Sequence, residues 1–208
     1  MLIARPDISF SPKSPFLILL VLAAFSTADM ACNSSRSREL PNGPLIHRTK
    51  PVLHTQDIER KIHALINRER LKQGVAALVW DDLLAKIARG HSKDMASRHY
   101  FSHDSPEGHD LSFRYRQDEY SCNLRIGNTV HMGAENIFLN VRYNSVTTLN
   151  GEEYYDWNSE EQLAETTVRG GMNSPGHRKN ILTPYWRSEG IGVYVAPDEK
   201  IYITQNFC

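Results

Sequence analysis

Gly190-Ile191-Gly192-Val193-Tyr194-Val195-Ala196-Pro197-Asp198-Glu199-Lys200-Ile201-Tyr202-Ile203-Thr204-Gln205-Asn206-Phe207 is the stretch on which the fold turns. Apolar and polar residues alternate on both sides of Pro-Asp-Glu, the period of two that a half-buried strand shows. The central residues are turn formers, so the pair predicts an antiparallel hairpin. Working back from it, the period changes to that of a helix. Ile58, Ile62, Leu65 and Ile66 recur at helical spacing, Thr55 is placed to cap the start, and Gly74 stops the run near Lys72. Asp81 or Asp82 opens a second helix whose stripe holds Leu84, Ile87, Ala88, His91 and Met95, so His91 reads as a satisfied core histidine. A third helix fits residues 111–120, with Leu111, Tyr115 and Phe113 turned inward, and a fourth fits 160–172. Residues 121–158 read as irregular, with 135–139 as a short extended piece. Within them Glu152-Glu153-Tyr154-Tyr155-Asp156-Trp157 reads as a solvated loop whose rings cover the edge of the core, or contact a sugar or partner. Helices first and strands last make an α+β domain.

The amino-terminal part reads differently. Arg5 and Lys13 precede an apolar run over residues 16–25, followed by Ser26, Thr27, Ala28 and Ala31. About ten apolar residues suit a signal-peptide core and fall short of the ~20 needed to span a bilayer. Residues 1–31 are therefore expected to be a signal peptide, 32–53 a Ser/Pro/Gly linker and 54–208 the folded domain. Cys32 is a candidate for lipidation, although Asp29 stands where a lipoprotein signal wants an apolar residue. With Cys32 lipidated or removed, Cys122 and Cys208 form an even pair, the arithmetic of a disulfide in an oxidising compartment. Twenty-four Lys plus Arg balance 24 Asp plus Glu, and no basic patch marks a nucleic-acid surface.

Three polar phrases sit on turn-forming text: His103-Asp104-Ser105-Pro106-Glu107-Gly108, Gly133-Ala134-Glu135-Asn136-Ile137, and Met172-Asn173-Ser174-Pro175-Gly176-His177-Arg178-Lys179-Asn180-Ile181-Leu182. Pro and Gly specify the backbone there, and polar groups on specified turns point to function more often than to packing. His103, Glu135 and His177 are the candidate cleft residues. Two imidazoles and a carboxylate can hold zinc, with His103 and His177 as the metal ligands, or serve as general base and acid. No H-E-x-x-H spacing forces them together, so their convergence rests on the fold. Asn136 reads as tying down a turn.

The phrases, together with Leu65-Ile66-Asn67-Arg68-Glu69-Arg70, Leu78-Val79-Trp80-Asp81, Tyr100-Phe101-Ser102-His103 and the closing hairpin, run in order over residues 58–207. The chain thereby resembles the CAP superfamily (cysteine-rich secretory proteins, antigen 5 and pathogenesis-related 1 proteins), in its microbial SCP-like extracellular branch. That resemblance implies an α-β-α sandwich with a small antiparallel sheet between helical layers. It also implies a cleft of two histidines and two acids. His103, Glu135 and His177 match three of these, and the second acid of animal members has no match. Bacterial relatives usually carry tryptophan at the position of Gly171, a departure that predicts a looser cleft wall. The expected role is a secreted or envelope-attached binding module for a small or lipophilic ligand or an extracellular protein, reaching a membrane only through a lipid anchor. The alternative is a secreted peptidase-like hydrolase using the same groups. A serine route through Ser102 or Ser174 lacks the G-x-S-x-G setting. A third reading is an envelope-attached interaction domain with a vestigial cleft.

Overall fold

The computed structural model describes residues 49–208. The expected signal peptide, most of the linker and the lipidation candidate Cys32 lie outside them. Helix α1 (Thr55–Lys72) leads into a two-residue strand β1 (Val79–Trp80), helix α2 (Asp82–Ser97) and helix α3 (Leu111–Gln117). Two short strands, β2 (Leu124–Ile126) and β3 (Thr129–His131), precede the long strand β4 (Ala134–Val141). A second hairpin follows, β5 (Tyr143–Leu149) and β6 (Glu152–Trp157), then helices α4 (Glu160–Asn173) and α5 (Pro175–Leu182), and last the strands β7 (Ser188–Val195) and β8 (Lys200–Phe207).

The closing hairpin forms as its alternation requires, with Val193 opposite Ile203 and Gly190 opposite Asn206. β4 pairs antiparallel with β8, and β1 adds to β7 in parallel, so the sheet order is β1-β7-β8-β4 and β4 is its edge. The period of two divides each strand between two helical layers. Ile191, Val193, Ile201, Ile203 and Phe138 face Ile58, Ile62 and Ile66 of α1, with Leu163 and Val168 of α4 and Ile181 of α5. Ile137 and Tyr202 face Met95 and Ala96 of α2. Each buried isoleucine contributes roughly 1.5–3 kcal/mol of transfer free energy. Gly190 and Gly192 let α2 lie directly on β7: a Cβ on Gly192 would sit 2.0 Å from the Arg89 nitrogen, and one on Gly190 2.1 Å from that of Ala85. This is the α-β-α sandwich.

Caps set several boundaries. The Asp81 side chain accepts from the Leu83 and Leu84 nitrogens, and a Ser159–Gln162 capping box opens α4. Thr55 is not the cap of α1: it is the first helical residue, and His54 holds the cap position without a side-chain bond. α3 ends at Gln117, three residues before the expected end, because Tyr120 N turns back to Tyr115 O. Segment 121–158 is strand-rich rather than irregular. Gly127 and the Asn150-Gly151 pair carry the positive φ that two-residue hairpin turns demand. The 152–157 phrase is strand β6, not a loop. Its Tyr155 and Trp157 rings stack 4.8 Å apart, Tyr143 meets both edge-on, and Arg142 and Lys50 cover Trp157. The ladder thus holds its own hairpin. Residues 175–182 form a separate helix, with Pro175 at its first position, where a missing N–H costs nothing. A disulfide joins Cys122 to Cys208 across a separation of 86 residues, tying the end of β8 to the loop after α3.

Candidate functional site

Glu135 lies near the start of β4, where its side chain points toward the α2 layer and is 4 % exposed. Gly133 brings the strand in at φ +100°; a Cβ there would meet Phe207 O and the Tyr115 ring at 2.9 Å. His103 comes from the turn between α2 and α3, and its Nδ1 donates to Glu135 Oε1 at 2.9 Å. That bond leaves Nε2 facing outward from a side chain 56 % exposed. Arg114 of α3 donates through Nη2 to Glu135 Oε2 at 2.7 Å, and through Nη1 to the main-chain oxygens of His103 and His109. His91 of α2 is buried beneath them. Its Nε2 donates to Ser102 O at 3.0 Å and stands 3.9 Å from Glu135 Oε1. Both oxygens of Glu135 are thus committed inside the protein.

His177 arrives from the opposite layer, on α5. Its ring packs against Phe138 with centroids 4.7 Å apart, tilted 57°. Asn136, fully buried, donates to His177 O at 3.3 Å and to Gln205 Oε1 at 3.1 Å. Asn180 Nδ2 in turn donates to Asn136 Oδ1 at 2.9 Å and to Glu135 O at 3.2 Å. Asn136 therefore ties α5 to the strand. The polar chain continues through Gln205 to buried Glu189 at 2.6 Å, and from Glu189 to His63 Nδ1 at 2.6 Å.

Charge distinguishes the histidines. The hydrogen bond to Glu135 raises the His103 pKa. Burial lowers that of His177, and the positive charge of His103 lowers it further. Burial likewise lowers that of His91, against the pull of Glu135. Of these three, His103 is the imidazole most readily protonated, and the shift of His177 favours its neutral form.

Among the described residues, the His/Asp/Glu set whose ligand atoms lie within 4.8 Å of one another is His54, Asp57 and Glu160, not the cleft residues. Such a group has the spacing to hold a metal. Here, however, Glu160 already accepts from His54 N and from Lys61 Nζ, each at 2.7 Å. A cation would also meet the Lys61 ammonium and the positive end of α1.

Gly171 does not loosen the wall. A Cβ at that position would come 3.1 Å from both Ile181 Cδ1 and Phe138 Cε1, so their side chains already fill the space. Sequence reasoning missed Arg114, which sits in an ordinary charged helix turn with no local signal of its partner. It placed His91 on the core side without revealing its proximity to Glu135.

The comparisons with known proteins agree with this architecture. The family described as CAP, cysteine-rich secretory protein family, matches residues 63–207. Two Bacillus subtilis (strain 168) proteins are similar: the uncharacterized membrane protein YlbC, 32% identical over 72% of this chain, and the uncharacterized protein YkwD, 31% identical over 64%. The chain spans only 34% and 41% of their respective lengths. Among solved structures, an extracellular protein containing a SCP domain from Bacillus anthracis str. Ames aligns with TM-score 0.55 and 27% identity, covering 76% of this chain and 44% of that one. An outer surface protein from Borrelia burgdorferi aligns with TM-score 0.54 at 14% identity, covering 76% of this chain and 97% of that one, a likeness of fold alone. With its sandwich, its closing hairpin and a family match over residues 63–207, the chain belongs to the CAP family of cysteine-rich secretory proteins.

Proposed function

We propose that this chain is an exported CAP-domain binding module, secreted or held at the cell envelope, whose ligand cleft is lined by His103, Glu135 and His177. The observation that carries the reading is the state of Glu135. With Arg114 on one oxygen and His103 on the other, the carboxylate is an internal brace rather than a free base or ligand. What the cleft offers outward is a pair of imidazoles of unequal basicity, reaching the edge of β4 from the two layers. Protonated His103 donates a hydrogen bond and neutral His177 can accept one, which suits a polar head on a small or lipophilic ligand, or a polar group of an extracellular protein. Export is supported by the disulfide, since such bonds persist in oxidising compartments, and by the likeness to a bacterial protein described as extracellular.

Zinc at this site would rest on the two imidazole nitrogens, with Glu135 as the carboxylate that orients His103 from behind. A structural or catalytic zinc site takes three or four protein ligands, so a weak site is expected. Bound there, zinc would act as a Lewis acid toward a ligand oxygen. Zinc titration followed by thermal melting, on wild type and on His103→Ala and His177→Ala, tests the shared cleft. Stabilisation in wild type that both variants abolish supports it; equal stabilisation in all three proteins places the metal elsewhere. A peptide library incubated with the protein, with and without zinc, tests the hydrolase alternative, and reproducible cleavage lost in His103→Ala would overturn the binding-module reading.

A further inference from the structure

Glu135 and Phe138 are three residues apart on β4, and an odd spacing puts their side chains on opposite faces of a strand. On one face Glu135 orients His103. On the other, the Phe138 ring lies 4.7 Å from that of His177, within the range of favourable tilted aromatic pairs. Phe138 is itself buried among Leu163, Val168 and Ile181. Gly171 stands beside it in the last turn of α4, where glycine is still a poorer helix former than alanine. Its φ is not in the positive range, so backbone conformation does not call for glycine. Space does: a Cβ would lie 3.1 Å from Phe138 Cε1, 3.3 Å from Cζ and 3.1 Å from Ile181 Cδ1, whereas one on neighbouring Gly170 would meet nothing within 4 Å.

We propose that Phe138 is the positioning residue for the His177 imidazole, and that Gly171 is the small partner that gives its ring room. One strand then sets both imidazoles of the cleft, and the large–small pair fixes where a ligand meets His177. This rests on the binding-module reading only for its functional consequence; the positioning itself is a property of the unliganded protein.

The test is NMR of the histidine ring protons in the unliganded full chain, with His177 assigned through His177→Gln. Phe138→Leu removes the ring current and should move the His177 resonances while leaving those of His103 in place. Gly171→Ala should also move them, by displacing the ring, whereas Gly170→Ala should not. In Phe138→Leu/Gly171→Ala the methyl still meets Ile181 but has no ring to displace, so the added shift of His177 relative to Phe138→Leu should be much smaller than that of Gly171→Ala relative to wild type. A folded Phe138→Leu protein with unmoved His177 resonances overturns the proposal. So does a Gly171→Ala shift that persists undiminished in the double variant. If Phe138→Leu does not fold, the contrast between Gly171→Ala and Gly170→Ala decides alone. Zinc titration of the same variants separates the two ideas: a wild type that binds no zinc removes the metal from the cleft and leaves the ring signature standing.

Discussion

Replacing Arg114 by methionine strikes the site at its brace. The guanidinium is 13 % exposed, the Glu135 side chain 4 %, and the contact is 2.7 Å, so this ion pair is largely out of water. Breaking such a pair from one side costs about 3–5 kcal/mol, because the remaining charge is left without compensation. His103 still donates to the other oxygen, which places the expected loss near the lower bound, about 3 kcal/mol. For a domain of this size that corresponds to a fall in Tm of roughly 6–12 °C. The loss should be specific to the stranded charge. Arg114→Met/Glu135→Leu replaces both partners by apolar groups, and it should be more stable than Arg114→Met alone. Urea unfolding of wild type, both single variants and the double variant closes the cycle. An Arg114→Met protein within about 0.5 kcal/mol of wild type, or a double variant as unstable as the sum of its singles, would refute the account of Glu135 as a buried, doubly held brace.

Glu135→Gln should lower the His103 pKa toward its ordinary value of about 6.5, read by NMR titration, because the bond to the carboxylate is what raises it. The histidines should also shape stability against pH in opposite senses. The raised His103 contributes below about pH 6.5, and that contribution fades as pH rises through its folded value; the lowered His91 contributes above about pH 6.5 and loses it as pH falls through its folded value. His91→Gln should therefore flatten the acid limb of the stability profile, and an unchanged limb would show that His91 does not carry it. Gly192→Ala drives a Cβ to 2.0 Å from the Arg89 nitrogen and should cost at least the 1–3 kcal/mol typical of overpacking, whereas exposed Gly170→Ala should gain about 0.5–1 kcal/mol in helix propensity, both read by denaturant unfolding. Reducing Cys122–Cys208 opens a loop spanning 86 residues and should cost roughly 4–5 kcal/mol in the chain-entropy account; a thiol titration that finds two reactive groups in the unreduced protein would remove the bridge.

Local pattern determined much of this protein. The alternation around Pro197-Asp198-Glu199 is the β7–β8 hairpin, and the Ile58-Ile62-Ile66 stripe is the buried face of α1, because side-chain period follows directly from backbone geometry. The Asn150-Gly151 and Gly127-Asn128 dipeptides have hairpin-turn chemistry, yet the polar and aromatic text around them masks the strand pattern, and 121–158 reads as irregular. Tertiary structure decided the rest. Glu135 finds Arg114 only because α3 packs over the start of β4, and nothing in the run Leu111–Gln117 distinguishes Arg114 from Arg116. Gly171, which reads as a gap, is filled by Phe138 from another element. His103 and His177 come from the two helical layers, and the edge strand β4 carries a partner for each, Glu135 for the first and Phe138 for the second. Periodicity is written between neighbours in the chain, whereas a site is written between neighbours in space, and only the path of the sheet between its two layers relates the one to the other.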